Sequence, residues 1–269
     1  MGLLGGKSGV SPILNENEWD VISAVSTAGE GENYWSVGDR KEIILDGKVG
    51  ILTLSNFTTC AFIIGFNHNA SVEGSGRIHF QLGKTALSGG TDVAFCDNYY
   101  GISASSTDYF SMNDSSTNSG GWDSSQMRTN ICGTSLSSYS GTIIAVIPAA
   151  LRAVLKSVTK YTNNTGNSTA ASAVTATTDY FFLLSEYEVF GSRKYANTNE
   201  ASHQAQYAYY SAGNSKIKYN HSSTSTDVHW WLRSPRVSSS SAFVYVVADG
   251  EVGYRSANYN YGFAPGFCV

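Results

Sequence analysis

The sequence predicts an α+β fold with a mostly antiparallel sheet, two or three helices and long ordered loops. Helix-like segments and short apolar runs occur without the regular β-α alternation of a parallel sheet. Two long segments rich in Gly, Ser, Asn and Tyr interrupt them. With 269 residues, 42% of them hydrophobic, the chain can bury a substantial core. We predict a single domain over residues 1–269, in which residues 1–13 form a flexible N-terminal arm.

Helix signals are strongest near the start of the chain. Asn15 is a candidate cap, Glu18 follows three places on, and the apolar residues after it are three apart. Pro148 suits the first turn of a further helix whose apolar residues line one face. The segments predicted to be helical are residues 16–27, 122–132, 148–158 and 185–190.

Short apolar runs predict the strands. Residues 41–45, 49–54, 61–66 and 180–184 are such runs. The first two should form a hairpin that turns at Asp46-Gly47. Residues 77–81 alternate polar and apolar side chains, which predicts a half-buried strand in the same sheet.

Three segments are predicted to lack regular structure. Residues 88–121 should form a loop packed by Tyr99, Tyr100, Tyr109 and Phe110. Residues 163–178 should form a polar connection, and residues 202–213 a second aromatic loop.

Composition excludes several classes of function. The formal net charge is −4 and no run of Lys or Arg occurs, so we expect no nucleic-acid partner. No apolar run approaches the roughly 20 residues of a membrane span, and the first residues do not resemble a secretory signal. We therefore expect no membrane insertion and no signal peptide.

Cysteine and histidine spacing gives no metal signature. Cys60, Cys96, Cys132 and Cys268 never form a close pair, and the five histidines are scattered. Buried thiols are the preferred interpretation, and no metal or other cofactor is expected.

An enzyme is not expected either. Glu186 and Glu188 could serve as the two carboxyls of a glycoside hydrolase if they shared a face, but a capping or structural role is preferred. Arg233 with a buried acid, and Asp39 with Arg40, are interpreted as structural ion pairs. The serine-rich stretches contain no Gly-x-Ser-x-Gly elbow.

The C-terminal segment favours recognition. Residues 242–248 and 251–255 should pair as strands, because Asp249-Gly250 suits a two-residue hairpin turn. The serines of residues 238–241 and several Tyr, Asn and Arg residues surround this hairpin, and binding loops favour these side chains. Ordinary sheet surface remains the alternative, since Tyr and Val are good strand formers.

The pair Trp230-Trp231 allows two interpretations. Aromatic rings can stack on sugars, so the pair could form a carbohydrate platform. Adjacent residues on a strand face opposite ways, however, so at least one of these rings should lie in the core.

Five segments together resemble a family of uncharacterised domains from gut bacteria and their phages. They are residues 33–39, 65–68, 118–128, 184–191 and the motif Trp230-Trp231-Leu232-Arg233-Ser234-Pro235. In several relatives, the segment after this motif resembles the variable region of a protein diversified by a retroelement, with a C-type-lectin-like fold. The resemblance therefore implies that fold and a variable display region at residues 236–263.

The resemblance also divides the C-terminal segment into a frame and a set of display positions. The frame would comprise Trp230, Trp231, Leu232, the Asp249-Gly250 turn, Gly262, Gly266 and Phe267. The display positions would be Arg236, Ser239, Ser241, Tyr245, Val247, Tyr254, Arg255, Asn258, Tyr259, Asn260 and Phe263. The ending at residues 262–267 departs from the usual Gly-Val-Arg-Pro-Ala, so an arginine tether is not expected there.

The function that the resemblance implies is a ligand-binding display protein on a phage virion or a bacterial cell surface. Its partner would be a protein or glycan ligand on a cell surface, and display proteins of this kind often form homotrimers. Two alternatives are a carbohydrate-binding lectin without diversification and a purely structural virion protein.

Overall fold

A computed structural model describes residues 9–97 and 110–269, and it confirms an α+β fold with mostly antiparallel sheets. The strands within these ranges are β1 (Arg40–Val49), β2 (Leu52–Phe66), β3 (Ile78–Lys84), β4 (Val93–Ala94), β5 (Val158–Asn163), β6 (Val174–Asp179), β7 (Phe181–Phe182), β8 (Lys218–Asn220), β9 (Ser223–Val228), β10 (Trp230–Pro235), β11 (Ala242–Val246), β12 (Val252–Ser256) and β13 (Gly266–Cys268).

The helices are short. They are α1 (Trp19–Thr27), α2 (Ala70–Glu73), α3 (Ile143–Val146), α4 (Ala149–Arg152), α5 (Glu186–Phe190) and α6 (Ala208–Ser211). Single 3-10 turns lie at Leu14–Glu16, Gly31–Asn33, Ala171–Ala173 and Thr198–Ser202, and a π-helix lies at Met127–Cys132.

A five-stranded antiparallel sheet forms the centre, in the order β1-β2-β3-β13-β7. The C-terminal strand β13 pairs with β3 through Phe267 and Phe80, and with β7 through Phe267 and Phe181. Helix α1 packs on this centre, since the ring of Trp19 meets that of Phe80 edge-on at 5.6 Å. In the described part of the chain, three smaller sheets have the orders β10-β11-β12, β4-β8-β9 and β5-β6, and β4 and β8 are parallel.

The segment at residues 77–81 is a strand of the main sheet, as predicted, but it is not half-buried. Every residue of β3 is buried, including the polar His79 and Gln81. The strand lies between β2 and β13, and its polar side chains bond within the interior: Gln81 Nε2 donates to Ala264 O (3.0 Å). A period-two pattern reports the pleat and does not distinguish solvent from a polar interior.

The predicted turn at Asp46-Gly47 is wrong. A bulge lies there between Leu45 and Gly47, and the β1–β2 hairpin turns instead at Gly50-Ile51. Gly50 has a φ of 56°, which a glycine adopts without strain. The runs at 49–54 and 61–66 then belong to one long strand, β2.

Helix boundaries differ from those predicted in three places. Helix α1 begins at Trp19 and Asn15 does not cap it, because Asn15 Oδ1 accepts the backbone N–H of Glu42 (2.8 Å). Helix α4 begins after Pro148, as predicted, but ends at Arg152, because the chain then turns into β5. The predicted helix at 122–132 is reduced to the π-helix.

The predicted loops also contain regular structure. Strand β6 begins at Val174, inside the segment 163–178, ends one residue beyond it at Asp179, and pairs with β5 along its length. Within residues 202–213, Tyr207, Tyr209 and Tyr210 are buried around α6 and face the main sheet, so this segment belongs to the core. In the loop at 88–121, Phe110 is buried as predicted, whereas Tyr99, Tyr100 and Tyr109 lie outside the described residues.

The predicted helix at residues 185–190 and the pairing of the C-terminal strands are confirmed, but the predicted two-residue turn at Asp249-Gly250 is wrong. Ser185 Oγ and Glu188 form a reciprocal capping box at α5. Strands β11 and β12 pair in register, but their turn has three residues: Gly250 N–H donates to Val247 O (2.8 Å), and Gly250 has a φ of 91°. Asp249 therefore lies at the centre of the turn and Gly250 closes it.

All four cysteines are free and buried, which confirms the predicted thiols. Burial is also the main reason that the pKa of Cys60 rises to about 11 and that of Cys96 to about 12. Along the described ranges, no helix combines the length and apolar character that crossing a membrane requires.

Candidate functional site

Strand β10 carries the Trp-Trp-Leu-Arg-Ser-Pro motif and is buried along its whole length. The rings of Trp230 and Trp231 are both fully buried. Each indole N–H donates to a backbone carbonyl: that of Trp230 to Lys216 O (2.9 Å) and that of Trp231 to Phe110 O (3.1 Å). The pair therefore belongs to the core and cannot form a carbohydrate platform.

Arg233 of this strand enters a buried network of charges. Its guanidinium contacts both carboxylate oxygens of Glu188, one of them at 2.9 Å, and donates to Thr162 Oγ1 (2.8 Å). Lys160 Nζ lies 3.0 Å from Glu188 on the other side. Burial alone would raise the pKa of Glu188, but the two adjacent cations outweigh it and hold that pKa well below its usual range.

Glu73, His68 and Glu188 could in principle hold a metal ion, because their ligand atoms lie within 4.8 Å of one another. Lys160 already supplies the positive charge there, since its Nζ lies 2.6 Å from Glu73 and 3.0 Å from Glu188. Burial raises the pKa of Glu73 to about 7 and lowers that of His68 to about 3. This arrangement fits a structural ammonium–carboxylate network better than a metal centre.

Glu186 has a different structural role from Glu188. Its carboxylate accepts three backbone N–H groups, from Lys194 (2.6 Å), Tyr195 (3.1 Å) and Ala196 (2.7 Å). Both glutamates are buried and committed to internal partners, as the preferred interpretation predicted. The consequence for the surface is that Glu186 fixes the segment carrying Tyr195.

The two other predicted ion pairs have different outcomes. Arg233 has the buried acid that was expected, namely Glu188. The prediction for Asp39 and Arg40 is wrong: Arg40 Nη1 donates to the carbonyls of Ala86 and Gly89 (both 2.6 Å), and Asp39 Oδ2 accepts Ser36 N–H (2.9 Å).

A surface groove lies beside this frame. Its volume is about 360 Å³, and it is formed by the segment after β10, the edge strand β12 and the turn that follows β12. Six predicted display positions line it. The lining residues are Arg236, Ser239, Ser241, Ala242, Tyr254, Arg255, Ser256 and Tyr259.

Two arginine–tyrosine stacks order the groove. The guanidinium carbon of Arg236 lies 3.4 Å from the ring centre of Tyr254, and that of Arg255 lies 4.2 Å from the ring centre of Tyr259. Tyr195 packs edge-on against Tyr254 at 4.8 Å. Cation–π contact holds each guanidinium against a ring, so the cations are oriented before any ligand arrives.

One buried side chain fixes the backbone of the serine segment. Asn118 is 1% exposed, and its Nδ2 donates to the carbonyls of Arg236 (3.2 Å), Ser239 (2.7 Å) and Ala242 (2.8 Å). Its own N–H donates to Ser240 O (2.8 Å). We call residues 236–241 the serine loop. Its backbone is held from below, while the side chains of Ser238 and Ser240 are exposed.

Three other predicted display positions are half-buried. Tyr245 packs against Tyr261 at 4.6 Å and lies across Gly253, where a Cβ would come within 2.7 Å of the tyrosine ring. Val247 and Asn258 are partly exposed beside the hairpin. These residues border the surface without lining the groove.

The last two predicted display positions do not face solvent. Asn260 is 5% exposed and Phe263 is fully buried. Phe263 exchanges two backbone hydrogen bonds with Phe95 (both 2.8 Å), and its ring packs against Phe110 at 5.3 Å. The prediction of exposure is wrong for these two because the chain turns inward after Tyr259 to reach β13.

Sequence reasoning missed two residues that shape the groove. Asn118 lies in a motif that was noted for its resemblance, but its hydrogen bonds to the serine loop span about 120 positions. Tyr195 carries no local signal, since its place depends on Glu186. Both contacts are long-range or indirect, so spacing alone could not reveal them.

Comparison with known proteins gives one match. A family model described as a domain of unknown function (DUF6273) matches residues 101–269, which is more than half of the chain. No curated protein and no solved structure matches.

Proposed function

We propose that this chain, which belongs to the DUF6273 family of domains of unknown function, is a ligand-binding display protein. Its recognition surface would be the groove between the serine loop and β12. The observation that carries this proposal is that the groove combines a fixed backbone with exposed side chains. Buried Asn118 binds the backbone of the serine loop, whereas the side chains of Tyr254 and Arg255 are exposed.

A fixed backbone with exposed side chains allows those side chains to change without loss of the fold. Substitutions on a surface away from special features usually alter stability by about 0.5 kcal/mol or less. The backbone beneath, in contrast, is attached to β10 and to Asn118, both buried. Partner choice could therefore vary at positions 239, 241, 254, 255, 258 and 259 while the frame stays constant.

We further propose that the domain is C-type-lectin-like and that a retroelement diversifies residues 236–259. The mostly antiparallel α+β fold is compatible with this proposal. The burial of Asn260 and Phe263 shortens the variable segment relative to the 236–263 predicted from the sequence. A phage virion or a bacterial cell surface would be the location of such a protein.

A pair of matched libraries tests the proposal and does not require the natural ligand. In the display library, Ser239, Ser241, Tyr254, Arg255, Asn258 and Tyr259 are randomised. In the frame library, six buried positions are randomised, namely Asn118, Trp230, Trp231, Leu232, Arg233 and Phe263. Protease resistance on the yeast surface measures the folded fraction of each library.

We expect most display-library members to resist protease and few frame-library members to do so. Panning the folded display library against hen lysozyme should then yield binders whose affinity depends on the randomised positions. Equal loss of folding in both libraries would contradict the proposal, because the groove residues would then belong to the core.

Inspection of the neighbouring genes tests the diversification itself. A reverse transcriptase and a template repeat that matches the codons of residues 236–259 should lie beside the gene. If neither is present, a non-diversified lectin becomes the better description of the same groove.

A further inference from the structure

We infer that the groove recognises an acidic saccharide, through a carboxylate that pairs with Arg236 and Arg255. This inference rests on the proposed function and specifies the chemistry of its ligand.

The charge of the groove is the first observation. Its lining contains two guanidiniums and no carboxylate, although the chain as a whole has a net charge of −4. A local positive charge on an acidic protein favours the binding of anions in the groove. Lys194 adds to it, because its Nζ lies 5.2 Å from the ring centre of Tyr195 beside the groove.

The second observation is that these two cations stack on tyrosine rings but have no carboxylate partner among the described residues. Within the described ranges, neither Arg236 nor Arg255 forms an ion pair, and Nε of Arg236 is buried without a hydrogen-bond partner. A buried donor that stays unsatisfied costs free energy, so the protein itself does not fully satisfy this guanidinium. The guanidinium fork matches a carboxylate, which it can bind through two parallel hydrogen bonds.

The remaining lining suits a sugar. Tyr254 and Tyr259 present aromatic rings, and Ser239, Ser241 and Ser256 present hydroxyl groups that donate and accept. A saccharide offers the same mixture, with apolar C–H faces and hydroxyl groups. The volume of about 360 Å³ falls in the range of small-molecule pockets and would hold one or two sugar rings.

The test uses oligosaccharides of glucuronic, galacturonic and sialic acids, each paired with its methyl ester. Esterification removes the negative charge and keeps the sugar, so each pair isolates the carboxylate. Isothermal titration should detect at least one acid that binds, with its ester at least tenfold weaker. The titration of the acidic sugar is repeated in the presence of 10 mM acetate. We expect acetate not to reduce the affinity for the sugar measurably.

Variants assign the binding to the groove. Arg255→Gln and Arg236→Gln should each weaken binding of the acid at least tenfold, with unchanged melting temperatures. Lys48→Gln removes one exposed positive charge from the β1–β2 hairpin, outside the groove, and should change affinity less than twofold.

Three results would overturn the inference: esters that bind as tightly as acids, acetate that competes fully, or a complete absence of binding across the panel. The library experiment separates these results from failure of the proposed function. If the display library folds and yields binders while every acidic sugar fails, only the ligand class is wrong. If the display library does not fold, the display function itself is wrong.

Discussion

Arg233 and Glu188 form a bidentate ion pair, and both side chains are fully buried. The pair connects β10, the frame strand beneath the groove, to helix α5. Glu188 also accepts the N–H of Ser185 (2.9 Å) in the capping box, so one carboxylate fixes the start of the helix and the strand together.

Replacing Glu188 by Gln should therefore destabilise the protein strongly. The change leaves Arg233 and Lys160 buried with too little negative charge, and breaking one partner of a buried ion pair typically costs about 3–5 kcal/mol. Urea unfolding at pH 7 measures the free energy of unfolding. Exposed Glu251→Gln is the control, with an expected change within about 0.5 kcal/mol. A loss below about 1 kcal/mol for Glu188→Gln would show that the network does not hold the frame.

The sequence allowed part of this network to be predicted. A buried acid was expected for Arg233, and the capping box at Ser185 was expected from its spacing. Lys160 was not expected to lie between Glu188 and Glu73, because those residues are 28 and 87 positions away from it. Local spacing reports caps and turns, whereas such pairings depend on how the sheets meet.

Asn118 should be essential to the order of the serine loop. Asn118→Ala removes the donor to three carbonyls, and we expect a loss of about 2–3 kcal/mol, since each unsatisfied buried group costs about 1–3 kcal/mol. Trypsin should then cleave faster after Arg236, within the released loop. Asn258→Ala is the matched control, because the Asn258 side-chain oxygen has no hydrogen-bond partner in the described structure. Equal cleavage rates in the variant and the wild type would contradict this role.

Glu200 should make stability fall as pH rises. Burial raises its pKa to about 7 from an ordinary 4.5, against the opposing effect of a hydrogen bond from Asn163 N–H. The folded state therefore holds a proton between these two pH values that the unfolded state releases, and stability is lost across that window as pH rises. Relative to the wild type, Glu200→Gln should gain stability between pH 5 and 8, by on the order of 3 kcal/mol.

His68 supplies a control of opposite sign for this titration. Burial lowers its pKa to about 3, so the folded state keeps it neutral and stability is lost as pH falls below 6.5. The stability of His68→Gln relative to the wild type should therefore rise as the pH falls. Urea unfolding at a series of pH values measures this difference in the free energy of unfolding. A flat difference for Glu200→Gln across pH 5 to 8 would contradict the prediction.

Burial explains which display predictions failed. Tyr254, Arg255 and Phe263 were all display positions implied by the family resemblance, but Tyr254 and Arg255 are exposed, whereas Phe263 is buried. A resemblance of layout identifies the segment that carries display positions but not the point where this chain turns inward. That point, after Tyr259, depends on the pairing of β13 with β3 in the main sheet.

Gly121 should be the glycine least tolerant of substitution in the segment that carries Asn118. Its φ is 54°, and a Cβ there would lie 2.0 Å from Asn163 O and 2.7 Å from Asn164 Cα, both backbone atoms that cannot move aside cheaply. Gly213 provides the matched control, because its φ is 84° but a Cβ there would meet nothing within 4 Å. Gly213→Ala should thus show the cost of backbone strain alone, about 1 kcal/mol, whereas Gly121→Ala should cost at least about 3 kcal/mol from the added overpacking.

Urea unfolding compares the two variants, and faster tryptic cleavage after Arg236 should accompany only Gly121→Ala, because that substitution displaces Asn118 from the serine loop. If both variants lose the same stability, the crossing of residues 118–122 over residues 163–166 is not the constraint that holds the groove in place.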